Sequence, residues 1–259
     1  GMNGIFAYDI NSGIISTSTN WTLNPSGLEH VSAIETGDVN QDNLTDLIIG
    51  FCICTSISQT STKLFLNSGS GFSSSSTPFW TESSNLNEGA SGLHLSDMDN
   101  DGDLDLLISR AQQGNGNSVL IPNEMISSDL FQNEELNLIF NENNSISFGV
   151  GESRIISADI DNDFDQDIIV NDVSIYRNKR GETWDLNNKL FANSNNDSNS
   201  VVSGDLNHDG DSEIVVSGTD GTILIYEMEC GNWCLEPSWS STNTYDVNNL
   251  DLGDVNKDG

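Results

Sequence analysis

The chain has 259 residues, with 40 acidic side chains against 8 basic ones and a formal charge of −32. Such a balance excludes a general nucleic-acid binder, because phosphate contacts need clustered Lys and Arg, and it argues against anionic membrane surfaces. No apolar stretch approaches the ~18–20 residues of a membrane span, and Gly1-Met2 reads as an expression remnant, so a natural leader is expected to be missing.

Residues 4–8 and 14–17 read as the last two strands of a unit whose first half is absent. Complete units then follow in a fixed order. The first has a strand at 31–37, an acidic loop at 38–46, strands at 47–51 and 63–66, and a less regular fourth around Phe79-Trp80. The second places strands at 92–96, 106–108, 119–121 and 138–140 around the loop 97–105, with a helical turn in 128–137. The third has strands at 154–158, 168–170, 173–176 and 184–190 around 159–167, and the fourth has 201–204, 214–216, 222–226 and 235–239 around 205–213. Residues 249–253 read as the first strand of a fifth unit whose loop stops at 259, so the chain is expected to be a fragment of a longer protein. The Asn- and Ser-rich stretches 67–76, 112–118 and 193–200 are surface loops, not domain linkers.

The acidic loops begin 59, 62, 46 and 49 residues apart, a period that suits a four-stranded propeller blade. The expected fold is therefore an all-β propeller of antiparallel blades, inner strand first, in one domain spanning 1–259. Its units are approximately 1–28 (partial), 29–88, 89–151, 152–197, 198–246 and 247–259 (partial).

The loops carry the chemistry. They read Asp38-Val-Asn-Gln-Asp-Asn-Leu-Thr-Asp46, Asp97-Met-Asp-Asn-Asp-Gly-Asp-Leu-Asp105, Asp159-Ile-Asp-Asn-Asp-Phe-Asp-Gln-Asp167, Asp205-Leu-Asn-His-Asp-Gly-Asp-Ser-Glu213 and a truncated Asp254-Val-Asn-Lys-Asp-Gly259. Positions 1, 3, 5 and 9 offer side-chain oxygens: Asp38, Asn40, Asp42 and Asp46; Asp97, Asp99, Asp101 and Asp105; Asp159, Asp161, Asp163 and Asp167; Asp205, Asn207, Asp209 and Glu213. The fifth loop has Asp254, Asn256 and Asp258 and lacks a ninth position. Position 7, which is Leu44, Asp103, Asp165 or Asp211, offers its backbone carbonyl. A hard cation with six to eight oxygen ligands requires such a set, and calcium is that cation. Nineteen of the 40 acids crowd into these loops, which is costly unless cations neutralise them.

An EF-hand needs a bidentate acid at position 12, where these loops carry Ile49, Ile108, Val170 and Val216 inside strands. The acid at position 9 must supply the late ligand instead. Position 6 turns sharply, which suits Gly102, Gly210, Gly259 and Asn43 but not Phe164. The second and fourth sites are therefore expected to be the strongest, then the first, with the third below them.

These units resemble the calcium-binding FG-GAP or VCBS-type repeats of integrin α-subunit propellers and of many secreted bacterial and archaeal proteins. Phe148-Gly149 echoes the family's Phe-Gly, while the Gly-Ala-Pro element is missing after every second strand, so the VCBS-like branch fits better. The resemblance implies a propeller, seven-bladed when whole, with calcium in the loops joining the first two strands of each blade. It implies no catalytic activity.

Residues Glu35, His94, Ile156, Val202 and Asp251 stand three before each loop, on the strand that lines a propeller's channel. Glu35, His94 and Asp251, with Arg154 nearby, gather polar groups there, and satisfaction between blades is their expected role. Trp21, Trp80, Trp184, Trp233 and Trp239 fall in outer-strand regions, where packing between blades is expected over sugar stacking. Cys230 and Cys234 flank a hairpin tip where a small-loop disulfide is geometrically possible, while Cys52 and Cys54 read as buried thiols.

No Ser-His-Asp signature, phosphate loop or singled-out carboxylate pair stands out in the sequence. The leading expectation is a non-catalytic extracellular binding or adhesion module, which presents loops to a protein or glycan ligand. Its calcium would bind with Kd of roughly 10⁻⁴ to 10⁻³ M, too weakly to load from a resting cytosol. A polysaccharide lyase or hydrolase, or its accessory domain, and an architectural spacer in a large secreted protein are the alternatives. No nucleic acid and no membrane insertion are expected, and open propeller edges favour self-association.

Overall fold

Apolar runs such as Leu47-Ile48-Ile49 have no polar side to turn toward water, so a sheet built from them must be covered on both faces. In the computed structural model that is how they lie. The structure describes residues 4–11, 14–24, 30–52, 61–73, 77–82, 89–111, 117–123, 140, 145–150, 155–170, 174–179, 183–189, 198–218, 220–229, 232–233, 236–242, 244, 247 and 249–253.

A hairpin of β1 (Ile5–Asn11) and β2 (Ile14–Leu23) comes first. Among the described residues four antiparallel sheets of four strands follow, each with its strands in chain order and a small hairpin set between the last two strands of the fourth. They are β3 (His30–Gly37), β4 (Asp46–Cys52), β5 (Lys63–Phe65) and β6 (Trp80–Thr81); β7 (Gly89–Ser96), β8 (Asp105–Ala111), β9 (Asn117–Ile121) and β10 (Ile146–Val150); β11 (Ile155–Ala158), β12 (Asp167–Val170), β13 (Ser174–Lys179) and β14 (Thr183–Lys189). The fourth sheet runs β15 (Ser198–Gly204), β16 (Glu213–Gly218) and β17 (Ile223–Tyr226), then a small hairpin of β18 (Met228–Glu229) and β19 (Asn232–Trp233), then β20 (Trp239–Ser240) against β17. The first strands stand side by side, β3 against β7, β7 against β11 and β11 against β15. They line a channel of about 460 Å³. No helix among the described residues is long and apolar enough to cross a membrane, which leaves membrane β-barrels unaddressed.

Successive residues of each second strand face opposite neighbours. Ile48 packs with Leu93, Leu106 and Ile108 between the first two blades, while Leu47 and Ile49 pack with Leu23 and Phe65 toward the N-terminal hairpin. Leu107 and Ile168 meet between the second and third blades, and Ile169, Ile214 and Val216 between the third and fourth. Close approach is built in with small residues. A Cβ on Gly50 would stand 2.6 Å from the Ala90 Cβ of the next blade. One ion pair is buried in this interface: Arg110 of β8 bonds Glu82, just after β6, and Glu82 Oε2 also accepts from the Thr62 N–H at 3.2 Å.

Two strand expectations are corrected. The fourth strand of the second blade is β10, at 146–150, and not 138–140. Phe140 instead makes a single bridge to Asn123 and turns its ring edge-on to Trp80, 5.1 Å between centroids, in the core between blades. Its aromatic and apolar neighbours were a packing signal that reads like a strand. Residues 249–253 are in no sheet either; they lie along β15, with the Leu250 N–H donating to Ser200 Oγ at 3.0 Å, and no described strand pairs with them.

Trp21 packs as expected, edge-on to Phe65 and Phe72, and its Nε1 donates to the Ser73 carbonyl at 2.9 Å. Trp239 is half exposed. The readings on the side chains of Trp184, Trp233 and Cys52, on Cys54, Cys230, Cys234 and Arg154, and on residues 128–137 fall outside the described residues.

The Gly50 contact gives a direct test. Gly50→Ala should lower stability by about 1–3 kcal/mol through overpacking, read in denaturant melts. Adding Ala90→Gly, which removes the opposing methyl, should recover most of that loss.

Candidate metal centre

Each acidic loop closes the hairpin between a blade's first two strands. Gly37 pairs with Asp46, Ser96 with Asp105, Ala158 with Asp167 and Gly204 with Glu213, so position 9 is the first residue of the second strand. The position-1 carboxylate gathers the turn. Asp38 accepts from the N–H groups of Asp42 and Asn43, Asp97 from Asp101 and Gly102, and Asp159 from Asp163 and Phe164, all at 2.8–3.2 Å. The position-5 carboxylates of Asp42, Asp101, Asp163 and Asp209 accept from the N–H two residues on. Position 12 is closed to a ligand, since Ile49, Ile108 and Val216 are buried in the core.

Position 6 takes a left-handed backbone in all four loops, with φ of 64° at Asn43, 94° at Gly102, 72° at Phe164 and 97° at Gly210. The turn doubted for the third loop thus forms, with a strained Phe164 whose ring is 85% exposed.

The position-9 acids are buried and do two jobs at once. Asp46, Asp105 and Asp167 each accept through one oxygen from the N–H of position 2 (Val39, Met98, Ile160) at 2.9–3.2 Å. Through the other they accept from the N–H of Asn67, Asn123 or Asn178, two residues past the third-strand residue that pairs with position 10, at 2.7–2.8 Å. Glu213 accepts from Leu206 at 2.7 Å. Sequence reading missed these asparagines. Asn123 reaches the Val39 carbonyl at 3.1 Å and Asn178 the Met98 carbonyl at 2.6 Å, each in the preceding blade's loop. Met228 stands at the corresponding place in the fourth blade. The findable signal was an Asn recurring two residues after an aromatic or apolar one, as in Phe65-Leu-Asn67, Ile121-Pro-Asn123 and Tyr176-Arg-Asn178.

Carboxylate oxygens of Asp97, Asp99 and Asp105 lie within 4.8 Å of one another, and so do those of Asp159, Asp161 and Asp167. Loops one and four present Asn40 and Asn207 at position 3 in place of the third acid. At position 7, Asp103 and Asp165 are buried, and Asp165 Oδ1 accepts from Asn100 Nδ2 at 2.8 Å. Burial pushes Asp46 up to about 6 and Asp105 and Asp167 up to about 7, the backbone N–H bonds only partly opposing it. Asp99 and Asp161 rise too, first from burial and then from the neighbouring Asp101 or Asp163. Glu213 rises from burial. In the third loop, Asp161 Oδ1 is shielded from solvent with no hydrogen-bond partner, while its other oxygen lies 3.6 Å from Arg177 Nη1. Converging oxygens, pKa values raised by burial and by neighbouring carboxylates, and an unsatisfied carboxylate oxygen fit a divalent cation of the oxygen-loving kind.

The residues three before each loop, Glu35, His94, Ile156, Val202 and Asp251, all line the axial channel. Burial raises Glu35 and lowers His94, whose Nε2 lies 3.0 Å from Ser157 Oγ of the third blade. Glu35, His94 and Asp251 are not brought within common ligating distance, so the structure joins them as channel lining and not as a second metal cluster. The fifth loop, Asp254, Asn256 and Asp258, lies outside the described residues.

Two outcomes follow. Raised acids stabilise the metal-free fold fully below their unfolded pKa, 3.8 for Asp, and that contribution is lost as pH climbs through about 6 to 7. The melting temperature in chelator should therefore fall between pH 4 and pH 8, whereas saturating calcium, which binds the ionised form, should raise stability over the same range. Separately, Phe164→Asn, the residue that serves at position 43, should raise stability by about 1 kcal/mol by relieving the left-handed strain, measured by chemical denaturation.

The loops that define this geometry also carry the sequence likeness. Residues 38–108 and 205–259, each segment beginning at the first aspartate of a loop, match the FG-GAP-like repeat. No curated protein matches the chain in sequence. Among solved structures, the Dos1 propeller superposes with a TM-score of 0.54 at 14% identity, over 95% of this chain and 55% of that one, a likeness of fold alone. The crystal structure of BBS1N in complex with ARL6DN aligns over 87% of this chain and 58% of that chain at 9% identity, with a TM-score of 0.41. This chain thus spans little more than half the length of these two chains. Blades, loops and repeat agree: the chain is a β-propeller that carries FG-GAP-like repeats at residues 38–108 and 205–259.

Proposed function

We propose that this propeller is an extracellular, calcium-stapled module that binds a protein or glycan ligand without catalysing a reaction. The observation that carries the calcium part is the convergence of carboxylate oxygens at Asp97, Asp99 and Asp105 and at Asp159, Asp161 and Asp167. In the second loop the ion would be held by Asp97, Asp99, Asp101 and Asp105 with the Asp103 carbonyl; in the third by Asp159, Asp161, Asp163 and Asp167 with the Asp165 carbonyl. Asp38, Asn40, Asp42, Asp46 and the Leu44 carbonyl would serve the first loop, and Asp205, Asn207, Asp209, Glu213 and the Asp211 carbonyl the fourth. When bound, calcium supplies the positive charge that these buried acids lack. Arg177 already supplies some of it in the third loop, which supports a weaker site there.

Weak oxygen-ligand loops of extracellular modules fill at the millimolar calcium found outside cells, which supports secretion or surface display. A rigid ring of loops supports the binding role, since ligands are recognised on loops held by a fixed scaffold.

Calcium at about 100 times Kd should stabilise the fold by about 2.7 kcal/mol per filled loop, seen as a rise in melting temperature that chelator reverses. Asp97→Ala with Asp105→Ala should remove one equivalent of bound calcium. A glycan array and a protein pull-down, each run in calcium and in chelator, test the ligand part: capture that needs calcium supports it, and a melting temperature blind to both calcium and chelator defeats the reading.

A further inference from the structure

The acidic loops are tied to one another. Position 4 carries no ligand atom, yet its backbone is left-handed in every described loop, with φ of 57° at Gln41, 59° at Asn100, 57° at Asn162 and 61° at His208. From that position an amide reaches the next blade. Gln41 Nε2 donates to the Gly102 carbonyl of the second loop at 2.8 Å. Asn100 Nδ2 donates to Asp165 Oδ1 at 2.8 Å and to the Phe164 carbonyl at 3.4 Å in the third. Asn162 Nδ2 donates to the Gly210 carbonyl at 2.9 Å and to the Asp211 carboxylate in the fourth. Each amide bonds the position-6 carbonyl, and Asn100 and Asn162 also bond the position-7 carboxylate, so all three hold the peptide that leads into the position-7 residue.

Position 4 sits between ligand positions 3 and 5 of its own loop. A cation that fixes those two therefore also fixes the amide on which the following loop leans. We propose that Gln41, Asn100 and Asn162 are positioning residues that couple neighbouring calcium loops, so that the loops fill as a cooperative array and not as independent sites. The proposal rests on the calcium reading above. Coupling of this kind is reciprocal: an ion in the third loop favours an ion in the second as much as the reverse. A net hydrogen bond shifts an equilibrium by roughly 2- to 12-fold, and more where a carboxylate accepts. Asn100 and Asn162, which reach carboxylates, should therefore couple more strongly than Gln41.

Isothermal titration calorimetry with calcium on the whole chain tests this, comparing wild type, Asn100→Ala, Asn162→Ala and Asn100→Gln, with the metal-free melting temperature recorded for each. The wild type should show a Hill coefficient above 1. The alanine variants should keep its stoichiometry, lose slope toward 1 and bind their last ions about tenfold more weakly, while Asn100→Gln, the amide that works at position 41, restores the slope. A wild-type slope of 1, or alanine isotherms that superimpose on the wild type, overturns the coupling and leaves the calcium reading standing. Alanine variants with a lower metal-free melting temperature and an unchanged slope also overturn it, because the amides are then structural only. A wild type that takes up no calcium overturns both readings. Since the slope is first read on the wild type, the test survives a variant that does not fold.

Discussion

At the point where each acidic loop becomes the second strand, a buried carboxylate holds three pieces of backbone together. Asp46, Asp105 and Asp167 begin their strands, cap the loop through the N–H of position 2, and clasp an N–H at the far end of the third strand or just past it. Without an acceptor there, two buried N–H groups per blade would be orphaned next to the apolar core. The same placement keeps a negative charge away from water. Satisfying the backbone and holding a carboxylate out of water are thus two consequences of one side chain.

The strands that leave this carboxylate are apolar on both faces because each is sandwiched between two neighbours. Ile48 faces one blade and Leu47 the opposite side. A strand of an ordinary two-layer sandwich would alternate apolar with polar residues, and these do not. The tight seams, Gly50 against Ala90 above all, mean that blades meet through backbone as much as through side chains.

The acidic phrase and the apolar runs around it made the repeat, the strand order and the turn at position 6 legible, because each rests on a local rule of spacing or backbone sterics. What escaped depends on contacts between blades. Phe140 looked like strand and is core, since burial against Trp80 selects the same residue types as a β-ladder does. Asn123 and Asn178 looked like loop polarity, and they bridge a strand end to the preceding loop across more than eighty residues of chain in one case. Gln41, Asn100 and Asn162 lay inside the motif and were passed over because they supply no ligand. Arg177 could not be placed beside Asp161 from spacing alone.

Repetition also poses a problem that Arg110 and Glu82 address. Blades of similar shape offer similar faces, so a chain of them can dock in the wrong order. At the place of Arg110 the first and fourth blades carry Phe51 and Gly218. Docked against any other partner, the Arg110 guanidinium would be buried without its carboxylate, a penalty of about 3–5 kcal/mol. The pair thus labels one seam of the ring, giving the first and second blades an address that their apolar packing does not.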